Sequence, residues 1–244
     1  MDPMLFELCA ESLEAALAGE RGGADRIELC SELDCGGLTP SEVLRDAAIE
    51  ALAVPVHLLI RPRAGDFVFS SSEFEQMKRQ IDEARRARAA GVVVGMLRND
   101  GTVDVERSRE LVARARPLEV TFHRAFDQAR DLGQALEDVI ATGADRLLTS
   151  GGAVDIHRGA DAIGALHRLA GDRMEIVAGG GLRLENLAEF LRRAEIFSLH
   201  GSLGRRNGAL RKEECLRALE EDVRRTVRLL RSAQCERSAA RSHG

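Results

Sequence analysis

The sequence contains no tryptophan and no tyrosine, and aromatic residues make up only 3% of it. With a net charge of −5 as well, little is available to stack bases or attract a phosphate backbone, so nucleic-acid binding is set aside. Lysine is almost missing: Lys78 and Lys212 stand alone, and every other basic residue is arginine. A compositional bias of the source genome accounts for this, yet it has a chemical consequence. A Schiff-base aldolase needs a lysine in its site, and both lysines fall in stretches with helical spacing. No apolar run approaches the ~20 residues of a membrane span. The opening MDPMLFELCAESLE lacks a basic n-region, so no signal peptide is expected. Cysteines are scattered (Cys9, Cys30, Cys35, Cys215, Cys235), odd in number and without a CxxC. That pattern suits free thiols in a reducing, cytoplasmic setting.

What is present is a regular alternation. Eight short apolar runs, at 5–9, 26–30, 56–61, 92–97, 119–124, 146–150, 174–179 and 196–201, are separated by amphipathic stretches rich in Arg, Glu, Ala and Leu. Ser12, Thr39-Pro40-Ser41, Ser71-Ser72 and Asp131 are candidate helix caps. Eight strand–helix pairs in 244 residues predict an α/β fold, a (β/α)8 TIM barrel forming a single domain over 1–232. A doubly wound open sheet is the rival, but such sheets more often hold five or six strands. Residues 233–244 are expected to be a polar, disordered tail. The phrase Gly-Ala-Asp-Arg occurs at 23–26 and again at 143–146, 120 residues later. At about 30 residues per unit that is half a barrel, so the two copies introduce the second and sixth strands. Each Gly suits a helix C-cap, and each Ala-Asp a tight passage into a strand.

Side chains on a barrel strand alternate between helices and lumen. If the apolar positions face the helices, then Glu7, Cys9, Glu28, Cys30, His57, Arg61, Thr121, His123, Ser198 and His200 point inward. Barrel interiors are normally layers of Val, Ile and Leu, and burying charge costs several kcal/mol per ion unless it is paired or meets a ligand. The loops continue the pattern. RPRAGDF (61–67) offers Arg61, Arg63 and Asp66: two guanidiniums for an anion, or an ion pair among themselves. HRAFDQ (123–128) adds Arg124 and Asp127. Ser150 and Gly151 after the sixth strand, and Gly179, Gly180 and Gly181 after the seventh, expose backbone N–H groups. His200 and Ser202 follow at the eighth, where barrel phosphate sites often lie.

At these residues the chain resembles the CutC family. The matching stretches are FELCAESLEAALAGERGGADRIELCSELDCGGLTPS, IRPRAGDFVFSSSEFEQMK, DGTVDVERSRELV, VTFHRAFD, ALEDVIATGADRLLTSG, GGGLRLENLAEFL and LHGS, together covering about 5–202. The chain departs from the pattern in VAGGG, where a Pro commonly precedes the glycines, at Met96, and in the Arg-rich stretch after Ser202. The resemblance implies a TIM barrel, a cytoplasmic location, a homo-oligomer (dimer or tetramer) and Cu(I) binding in copper homeostasis. It also maps Cys9 and Cys30 onto the two barrel cysteines of the family. Neighbouring strands lie ~4.8 Å apart, so two thiolates can meet one soft ion, with Cys35 in the next loop a third candidate.

The alternative is a barrel enzyme, an isomerase, epimerase or metal-assisted lyase, acting on a small anionic or phosphorylated sugar-like substrate. Glu7, Glu28 and His123 would move protons. Arg61, Arg63 and the loop residues named above would hold the anion.

Overall fold

In the computed structural model, which describes residues 4–203 and 211–241, every one of the eight apolar runs is a strand. They are β1 (Leu5–Ala10), β2 (Arg26–Leu29), β3 (Val56–Leu59), β4 (Gly91–Val94), β5 (Glu119–Phe122), β6 (Arg146–Thr149), β7 (Glu175–Gly179) and β8 (Ser198–Gly201). All are parallel and close in chain order into one barrel. The helices α1 (Leu13–Gly22), α2 (Glu42–Ala51), α3 (Ser71–Arg86), α4 (Val105–Ala115), α5 (Leu132–Thr142), α6 (Ala160–Ala170), α7 (Leu184–Arg193) and α8 (Lys212–Arg241) form the outer ring. The (β/α)8 barrel is therefore the fold. Ser12, Ser41 and Asp131 cap their helices through side-chain oxygens as expected. For α3 the cap is Ser70, in a reciprocal capping box with Glu73.

The tail expectation is corrected over residues 233–241. Helix α8 runs on to Arg241, because no Gly or Pro interrupts it. Ala233 packs on the core, and the Gln234 side chain accepts the Met4 N–H at 3.1 Å. Part of the Arg-rich stretch after Ser202, residues 204–210, lies outside the described residues.

Strand side chains divide as the alternation demands. Phe6, Leu8, Ile27, Leu29, Leu58, Val92, Val120, Phe122, Leu147, Ile176 and Leu199 are buried in the layer between barrel and helices. Each such side chain contributes on the order of 1.5–3 kcal/mol. The opposite faces fill the lumen.

The Gly-Ala-Asp-Arg repeat has a structural role at both sites. Gly23 and Gly143 stop α1 and α5 in the left-handed region, at φ 94° and 80°. Asp25 then grips the preceding strand twice: its N–H donates to the Phe6 carbonyl, and its carboxylate accepts the Phe6 N–H at 2.8 Å. Asp145 does the same to Val120, with the same 2.8 Å bond. Arg26 and Arg146 follow on the lumen face. Two opposite points of the ring are thus locked by one device.

Candidate functional site

The C-terminal ends of the strands surround a cavity of about 250 Å³. Of the sequence candidates, Cys9, Glu28, Arg61, His123, Arg124, Gly180, Gly181, His200 and Ser202 line it. Leu33, Leu59, Phe67 and Leu148 supply apolar wall.

One end of the cavity is built on sulfur. Register pairs Cys9 with Glu28 across β1 and β2, and Cys30 sits two residues beyond Glu28 on the same face. The Cys9 and Cys30 Sγ atoms are 3.6 Å apart, and the Cys9 thiol also reaches Glu28 Oε1 at 3.5 Å. Leu33, Leu59 and Val93 enclose the pair. The hydrogen bond with Cys30, burial and the nearby Glu28 charge all push the Cys9 thiol well above its usual range. Potential ligand atoms of Cys9, Glu28 and His200 lie within 4.8 Å of one another. Cys35 stands apart from this group: it is exposed, and its thiol donates to the Glu32 carbonyl.

Glu7 lies one layer deeper. His200 Nδ1 meets its Oε1 at 2.8 Å. Burial pushes Glu7 up, but the hydrogen bond and charge of His200, with the Arg26 charge, outweigh it and hold the carboxyl low. For His200, burial pushes down while Glu28 and Glu7 push up more strongly, so the imidazolium is favoured. Burial also raises Glu28, whose Oε2 has no hydrogen-bond partner. Two carboxylates side by side therefore differ: one is a fixed anion, the other readily protonated.

The opposite wall comes from β3 and β5. Arg61 is buried, and its guanidinium donates to the carbonyls of Cys35, Gly37 and Gly65 at 2.9–3.0 Å. It lies over the Phe67 ring, which in turn packs against His123. His123 Nδ1 accepts the Ala125 N–H at 3.1 Å, so the ring proton is on Nε2, which has no partner. Burial, helped by the Arg61 charge, lowers the His123 pKa to about 3. Room for this ring is made by Gly95, where a Cβ would stand 2.3 Å from His123 Nδ1.

The remaining candidates support the mouth without all lining it. Asp127 accepts from Thr149, Ser150 and the Gly152 N–H, and pairs with Arg124 at 2.8 Å. Ser150 accepts from Arg124, and the Gly151 N–H donates to Thr149. Gly179 gives His200 room, since a Cβ there would lie 3.0 Å from the His200 side chain. Arg63 and Asp66 do not line the cavity. Arg63 pairs with Asp66 at 2.8 Å and with Glu73 at 2.7 Å, tying the loop to the cap of α3.

A second polar cluster went unnoticed in the sequence. At the N-terminal end of the barrel Arg146 meets Glu7 and Glu119, each at 3.6 Å, and Arg26 meets the same two carboxylates. His57 Nδ1 accepts from Arg146 at 2.7 Å, which fixes a neutral ring. Burial, with Arg26, lowers the His57 pKa to about 4. The signal was available: the alternation that turns Glu28 inward also turns Arg26 inward.

Residues 4–205 match a family model described as the CutC family. The chain belongs to the CutC family. A family protein CutC of Chromobacterium violaceum is 45% identical over 202 residues, covering 83% of this chain and 81% of that one. One from Agrobacterium fabrum is 43% identical over 200 residues, covering 82% and 79%. Among solved structures, a CutC protein of Streptococcus agalactiae, provisionally described as a copper homeostasis protein, superposes with a TM-score of 0.77. It is 30% identical and covers 82% of this chain and 98% of its own. Phosphoribosylanthranilate isomerase of Thermotoga maritima (TM-score 0.61, 14% identity, 94% and 99% coverage) shares the fold alone. Among the described residues no helix is long and apolar enough to cross a membrane.

Proposed function

We propose that this CutC-family protein serves copper homeostasis by holding Cu(I) at the barrel mouth, with Cys9 and Cys30 as its thiolate ligands. The observation that carries the reading is the pair of buried sulfurs 3.6 Å apart. Thiolates select soft Cu(I), which carbonyl and carboxylate oxygens hold poorly. Thiol ligands must lose their protons on binding, and Glu28 Oε1, which already accepts the Cys9 S–H, is the first acceptor on that proton's way to solvent. His200 stands in the same group of potential ligands around Cys9 and must give up its proton to join them. Family membership favours this over the enzymatic alternative. A reducing cytoplasm suits it too, because so close a pair must stay unoxidised to bind metal.

Anaerobic titration of Cu(I) against a competing chelator tests the reading. One Cu(I) per chain is expected, with Cys9→Ser and Cys30→Ser each abolishing tight binding. Glu28→Gln is expected to change affinity by no more than about tenfold. Unaltered affinity in the two serine variants defeats the proposal. Light scattering of the same samples measures the homo-oligomer, dimer or tetramer, that the resemblance implies.

A further inference from the structure

We infer that the same mouth has a second binding function: it takes a small organic oxyanion, a carboxylate or phosphate ester, against Arg61 and His123. Arg61 is a buried cation whose guanidinium, among the described residues, donates only to three carbonyls and has no carboxylate within ion-pair distance. Its Nε has no partner. An unpaired buried charge costs several kcal/mol, and a wall facing an open cavity can be relieved by a bound counter-ion. Next to it His123, 94% buried by its 6% exposure, presents an Nε2–H that no protein atom accepts. A buried donor without an acceptor is rare in folded proteins. Two residues with unsatisfied donors, one charged, line one cavity and meet the same Phe67 ring, which suits an oxyanion.

The rest of the cavity agrees with an organic ligand rather than a lone ion. Arg124 also lines it, and among the described residues its Nη1 has no hydrogen-bond acceptor, the other two nitrogens being held by Asp127 and Ser150. Its guanidinium lies against Gly180, where a Cβ would come within 2.7 Å. Gly180 itself stands at φ 111°, a conformation that favours glycine. A metal at the thiol end fills little of about 250 Å³, while that volume sits below the roughly 300–1,000 Å³ of drug-sized pockets. The space fits a metabolite of a few carbons. Glu28 is the one carboxylate among the described lining residues, and it belongs to the thiol end.

Copper is not needed for this inference, and the test separates the two. Metal-free protein is titrated calorimetrically at constant ionic strength with inorganic phosphate and, separately, with pyruvate, using chloride as the control. Saturable binding of at least one probe with a Kd of about 1 mM or tighter is expected. The tighter probe tells a phosphate ester from a carboxylate. Arg61→Met should weaken binding at least about tenfold. Because Arg61 also holds three loop carbonyls, that variant can lose its fold. Imidazole nitrogen NMR of the unmodified protein then decides, with the His123 Nε2 signal moving on saturation. No binding above the chloride control overturns the inference. So does unchanged affinity in folded Arg61→Met, or a His123 signal indifferent to the ligand.

Discussion

Replacing His123 by Gln is expected to make the protein less sensitive to acid. In the native barrel the imidazole is neutral: burial and the Arg61 charge bring its pKa to about 3, against about 6.5 in an unfolded chain. A histidine with a lowered native pKa binds its proton only after unfolding. Between roughly pH 6.5 and 3 the unfolded state therefore carries the extra proton, and stability falls as pH falls. The slope for one proton is about 1.4 kcal/mol per pH unit. At pH 5 this one residue has removed about 2 kcal/mol from a total typically near 5–15 kcal/mol. Glutamine can still accept the Ala125 N–H through its side-chain oxygen but cannot titrate. Urea unfolding of both proteins at intervals from pH 7 to pH 4 gives the difference curve, in which the groups common to both cancel. The variant should start less stable at pH 7 and close the gap by about 1.4 kcal/mol for each unit below pH 6.5. Parallel curves would refute the reasoning, because they would mean that the native ring takes up a proton as readily as the unfolded one.

Asp25→Ala and Asp145→Ala each leave a strand N–H, of Phe6 and of Val120, without its acceptor. Each should cost about 1–3 kcal/mol, read as a fall in Tm of several degrees. Asp145→Ala should cost slightly more, since it also removes the exposed ion pair with Arg116 at 2.7 Å. Cu(I) affinity should rise with pH by about tenfold per unit from Cys9 alone, because its thiol is held protonated and binding must release that proton. Chelator competition at pH 6 and pH 8 measures this, and a flat profile removes Cys9 from the ligand set.

Much of the barrel could be read without coordinates. Hydrophobic alternation with period two placed eight strands and sorted Glu7, Glu28, His123 and His200 to the lumen, because the pleat leaves only two directions for a side chain. The spacing of Gly-Ala-Asp-Arg placed its two copies half a ring apart. It also carried Arg26 and Arg146, which were overlooked as inward groups although the same alternation turns them in.

What the chain order could not supply was distance around the ring. Cys9 and His200 are separated by most of the chain, yet both lie within reach of Glu28 because β8 closes on β1. Partner choice among equivalent polar groups was likewise a tertiary decision. Arg63 looked the same as Arg61 in the run RPRAGDF, but loop geometry turned it to Asp66 and Glu73 and left Arg61 in the wall. Local periodicity fixes which way a residue faces. Only closure of the barrel sets which charge it meets, because pairing depends on ångström separations between strands remote in sequence.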